Sequence, residues 1–97
     1  MKINFRRLAA AELRRDAAWY NLRKTGLGRD FRRAIQAVLD GIVDYPERWP
    51  LCQGHIRRAV VPRFPYVIYY ESKDDSILVY RVVHSSIDPG PIRDLLP

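Results

Sequence analysis

Two side chains in this sequence titrate near neutrality, His55 and His84. His84 follows Val82 and Val83 at the end of an apolar run, where it is the one proton carrier a strand would present at its tip. His55 stands after Gly54 in a stretch of loop character. Neither has the spaced neighbours that a metal centre needs, so no metal and no cofactor is expected. Cys52 is the single cysteine, which excludes an intramolecular disulfide and a cysteine zinc cage, and a buried apolar role is expected for it. The other groups that could meet a ligand are cationic. Arg57 and Arg58 are neighbours in a run of strand character, so their side chains point to opposite faces and only one can meet a given anion. Arg63 follows Pro62 at a corner, and Arg81 sits between Tyr80 and Val82. Guanidinium groups of this kind hold phosphates and carboxylates through paired N–H donors. Tyr66, Ile68 and Tyr70 share one strand face and Val67 and Tyr69 the other, so one set should enter a core. The other set, with Tyr69, is placed to stack on a base or pack against a partner.

Such residues need a scaffold, and 97 residues with 47% hydrophobic and 29% charged side chains allow one modest domain. No apolar run approaches the roughly 18 residues of a membrane span, and the first residues lack a secretory apolar core, so a cytoplasmic protein is expected. The net charge of +6 is unevenly placed. Residues 1–33 hold ten basic and three acidic side chains, a net +7, whereas residues 34–97 hold seven and eight, a net −1. The cations are interleaved with Leu, Ala, Trp and Phe, so this basic segment is folded. A folded basic face, with Arg14, Arg15, Arg32 and Arg33 at its centre, suits an anionic partner, either nucleic acid or an acidic protein.

The order of elements follows from periodicity. Ile3 and Phe5 alternate with polar residues as a short strand. From about Leu8 the spacing of Leu13, Ala17, Tyr20 and Lys24 becomes helical, with Glu12, Arg15, Asp16 and Arg23 on other sides, no capping residue beside Leu8, and a stop at Gly26. A second helix, from Leu27 or Arg29 to Tyr45, carries Phe31, Ala34, Ile35, Val38, Leu39 and Ile42 at three- and four-residue steps before Pro46. Three β-rich runs follow a loop at residues 46–54: His55 to Val61, Tyr66 to Glu71 and Ile77 to His84. Trp19 and Trp49 are expected to pack, Trp49 by pinning the loop after the second helix. Ile92 to Leu96 reads as a short apolar tail. The result is an α+β domain of order β-α-α-β-β-β, an antiparallel sheet with a helical hairpin on one face.

In that order and spacing the chain resembles the RelE/ParE superfamily, toxins of bacterial type II toxin-antitoxin modules. The resemblance spans nearly the whole chain. It rests on Ala17-Ala18-Trp19-Tyr20, Gly26-Leu27-Gly28-Arg29-Asp30-Phe31, Tyr45-Pro46-Glu47-Arg48-Trp49-Pro50, Arg57-Arg58, Arg63-Phe64-Pro65-Tyr66, and His84 with Asp88-Pro89. It implies a toxin neutralised by a cognate antitoxin protein and directed either at DNA gyrase or at the ribosome and its mRNA.

The choice between those targets is chemical. Metal-independent RNA cleavage needs a base for the 2′-hydroxyl, an acid for the leaving oxygen and cations around the phosphorane. On the resemblance, His84 would be the proton carrier and Arg57, Arg58 and Arg63 the clamp. Many members resemble His-x-x-Arg-Asp-Pro at this site, whereas this chain reads His84-Ser85-Ser86-Ile87-Asp88-Pro89, and an isoleucine cannot stabilise a phosphorane. No tyrosine follows Tyr80 and no lysine follows Lys73. The expected function is therefore growth arrest of the gyrase-directed, ParE-like kind, without chemistry of its own. A RelE-like endoribonuclease and a non-catalytic nucleic-acid-binding module are the alternatives. Arg14, Arg15, Arg32, Arg33, Arg81 and Tyr69 are the expected partner-binding residues.

Overall fold

The computed structural model describes residues 1–87. Its elements are β1 (Lys2–Phe5), α1 (Arg7–Arg23), α2 (Leu27–Asp44), β2 (Leu51–Gln53), β3 (Ile56–Val61), β4 (Tyr66–Lys73) and β5 (Ser76–His84). The five strands form one sheet in the order β1-β5-β4-β3-β2. Two features differ from the sequence expectation. The loop after α2 contains a further strand, β2, and the sheet is mixed, because β1 runs parallel to β5 while every other pair is antiparallel. Three residues with no apolar alternation leave β2 without a periodic signal.

The chain enters α1 without a side-chain cap; instead the N–H of Arg6 donates to the carbonyl of Val79, so β5 takes up the start of the helix. Gly26 turns the chain between the helices at φ 88°, and its N–H donates to Oδ1 of Asn21 at 2.9 Å. Gly28 then lets the helices touch, since a Cβ there would lie 2.3 Å from the carbonyl oxygen of Ala17. The β4–β5 hairpin is tighter than expected. The strands run to Lys73 and from Ser76, and only Asp74 and Asp75 turn, at φ 52° and 59°.

The apolar stripe of α2 buries Phe31, Ile35, Val38, Leu39 and Ile42 against Ala59, Val61, Tyr66, Ile68, Tyr70, Val79 and Val82 of the sheet. The alanines of α1 contribute Ala9 and Ala17 to the same layer. The opposite sheet face holds a second buried cluster of Ile56, Val67, Tyr69, Tyr80 and Val83. Both tyrosine sets are therefore buried, and Tyr69, expected on an open face, is only 6% exposed. Cys52 goes the other way: it lies on the edge strand β2 and is exposed. Trp49 packs on Gly41 as expected, whereas Trp19 is half exposed beneath the Arg23 guanidinium. Asp88-Pro89 and the apolar tail lie outside the described residues.

Candidate functional site

The four candidate catalytic residues do not converge. His84 is the register partner of Tyr66 and stacks edge-on against its ring. Its Nδ1 accepts the N–H of Ser86 at 3.1 Å and lies 2.7 Å from the Ser86 hydroxyl. A backbone N–H can only donate, so Nδ1 carries the lone pair, and the neutral ring bears its proton on Nε2. Arg57 and Arg58 pair with Tyr70 and Tyr69, four and three residues further along β4. They are thus about 10–13 Å from His84 along the strand direction and about 10 Å across it. Arg57, on the helix side, is held by the loop after α2, its Nη1 donating to the carbonyls of Trp49 at 2.6 Å and Glu47 at 3.2 Å. Arg58 points to the other face, as alternation requires. Arg63 shares His84's end of the sheet but turns away from it.

The expected basic face also divides. Arg15 donates to Asp16, which accepts from the Tyr66 hydroxyl through its other oxygen. Burial and then this bond push the Tyr66 phenol well above its ordinary range. Arg14 and Arg32 flank the helix–helix seam, being three and four residues from Ala17 and Gly28, which meet there. Arg33, one residue on, is turned about 100° from Arg32 and faces the β3 side of α2.

Arg81 has a structural partner. Its Nε and Nη2 donate to the carboxylate of Glu12 on α1, at 3.0 Å and 2.6 Å, and this bond raises the already high guanidinium pKa. Glu12, 3% exposed, is the buried charged residue among the described residues, and it also accepts the N–H of Val82 at 3.2 Å. Sequence reading put Glu12 on a polar side of the helix. What could have found it is the bulge that shifts the register between Tyr69 and Tyr70 of β4, which leaves a β5 amide without a strand partner; a bulge has no reliable sequence signal.

What the fold does bring together is a groove of about 900 Å³ between α2 and the edge of β3. Its floor includes Leu27, Val38, Trp49, Val60 and Phe64, and Arg33, Arg48 and Arg63 line it with Asp30 as the acidic member. Three guanidiniums against one carboxylate make the rim cationic. Among the described residues none of the three forms an ion pair. Arg63 reaches the groove from a φ of 73°, a left-handed conformation unusual for an arginine. Of these residues, sequence reading had singled out Arg33 and Arg63 but not Arg48, because the groove joins α2, the loop after it and the β3–β4 turn.

A two-helix hairpin on a five-stranded mixed sheet, with an arginine-lined edge groove and no assembled acid–base pair, defines the toxin fold that the sequence resembled. Residues 3–89 match the family model described as the ParE toxin of the type II toxin-antitoxin system, parDE, and the chain belongs to that family. It is a toxin component of the type II toxin-antitoxin class. Among solved structures it is similar to one titled "Chromosomal ParDE TA system from P. aeruginosa", with a TM-score of 0.63 and 18% identity over 87% of this chain and 95% of that one. No curated protein matches it. No helix among the described residues is long and apolar enough to cross a membrane.

Proposed function

We propose that the chain arrests growth by binding DNA gyrase through its surface, without a covalent step, and that a cognate antitoxin restrains it. The observation that carries this reading is the dispersal of the candidate nuclease residues. His84 is engaged by Ser86, Arg57 by two loop carbonyls and Arg81 by Glu12, while Arg58 projects from the opposite face. In-line cleavage of a ribose phosphate needs acid, base and cations around one phosphorus. The surfaces left for a protein target are the seam flanked by Arg14 and Arg32 and the exposed apolar flank of α1, where Leu22 is 87% exposed and Trp19 50%.

The test is controlled expression in a bacterial host, following thymidine and methionine incorporation over the first minutes, together with supercoiling by purified gyrase. The expected result is early loss of DNA synthesis and inhibited supercoiling, unchanged in His84→Ala. Early loss of protein synthesis that His84→Ala abolishes would replace this reading with the ribonuclease one.

A further inference from the structure

The groove contains an unfinished sheet edge. β2 pairs with β3 only at Ile56 and Arg57, and the N–H of Arg58 goes outward to the carbonyl of Pro50. In an antiparallel ladder the outward-facing residues alternate, so Val60, two residues on, also directs its N–H and C=O away from β4. Among the described residues nothing pairs with them. Val60 is itself half exposed, and Arg33, Arg48 and Arg63 stand around it. An exposed edge of this kind is a template for another chain.

Resting on the toxin reading above, we infer that this groove takes an extended, acidic and apolar segment of the antitoxin, which adds a strand to β3 at Val60. Main-chain bonds to Val60 supply the pairing. Alternate side chains of the segment would meet the apolar floor, and carboxylates would meet the three arginines. Charge selects the occupant: a basic or neutral strand would leave the guanidiniums unmatched. A helix in the same groove would leave the Val60 amide unpaired, because its own backbone groups are satisfied internally.

The experiment uses the full chain, ¹⁵N-labelled, and a capped decapeptide alternating valine with glutamate as the probe. Saturation is expected to slow exchange of the Val60 amide at least tenfold. Arg33→Glu with Arg48→Glu, or lysine in place of glutamate in the peptide, should weaken binding at least tenfold. Val60→Pro should abolish it, since proline fits an edge strand but has no N–H to give. Should that variant fail to fold, N-methylating alternate valines of the peptide removes the same bonds without altering the toxin. Unchanged Val60 exchange, an equally tight lysine peptide or full binding of the N-methylated peptide overturns the inference. Growth arrest by the wild-type chain is scored separately. Arrest without Val60 protection refutes the groove alone, and Val60 protection without arrest refutes the toxin reading alone.

Discussion

The carboxylate of Glu12 and the guanidinium of Arg81 form the one buried ion pair among the described residues, with the shortest N–O distance 2.6 Å, and they join the first helix to the last strand across 69 residues. Glu12→Ala leaves Arg81 and the Val82 N–H without a partner and is expected to cost about 3 kcal/mol. Replacing both residues by methionine should recover most of that loss, because the desolvation of two charges disappears with the pair. Urea unfolding of the single and double variants measures both.

Gly28 and Gly41 should respond oppositely to alanine. At Gly28 the new methyl meets the Ala17 carbonyl at 2.3 Å, so the helices must separate, at a cost of about 1–3 kcal/mol. At Gly41 it meets only the rim of Trp49 at 3.2 Å, and the gain in helix propensity, up to about 1 kcal/mol, offsets the crowding. Thermal unfolding should show a clear fall for the first and a change of no more than a few degrees for the second.

Arg63→Gly separates stability from binding. Relief of the left-handed backbone at φ 73° is expected to leave stability unchanged or raise it by up to about 1 kcal/mol. Affinity for the antitoxin should nonetheless fall, as measured by calorimetry. A destabilised variant would mean that the side chain, not the backbone, holds the turn.

Alkaline pH should unfold the protein through its tyrosines. Burial raises the phenols of Tyr66, Tyr70 and Tyr80, helped at Tyr66 by Asp16 and at Tyr80 by Glu71. A folded-state pKa above the unfolded value of about 10 favours the neutral phenol in the fold, so the stability it brings is complete below pH 10 and is lost as pH rises beyond it. Tyr66→Phe should flatten that decline in denaturant midpoints taken from pH 8 to 11.5.

Elements with a strong period were legible in the sequence. The stripe from Phe31 to Ile42 and the run Tyr66 to Tyr70 were read to within about two residues, because each buries one continuous surface. The parallel pairing of β1 with β5 was not legible, since Ile3 and Phe5 alternate identically whichever direction the partner runs. At the site, the sequence identified arginines but not their partners. Arg57 is engaged by carbonyls eight and ten residues away and Arg81 by a carboxylate 69 residues away, distances over which residue type carries no information. Arg63 was read as a corner residue, and its left-handed backbone is visible only in the fold.

The pairing of Lys2 with Ser76 sets a clock on biosynthesis. At about 5–20 residues per second, roughly 4–15 s separate the synthesis of these two residues. During that interval β1 has no neighbour in the sheet, and the apolar stripe of α2 has no finished layer to lie on. The nascent chain is therefore unable to present its finished surface to a target until its last strand has been made, and any protein that captures the stripe or the β3 edge in those seconds meets the toxin before it is one.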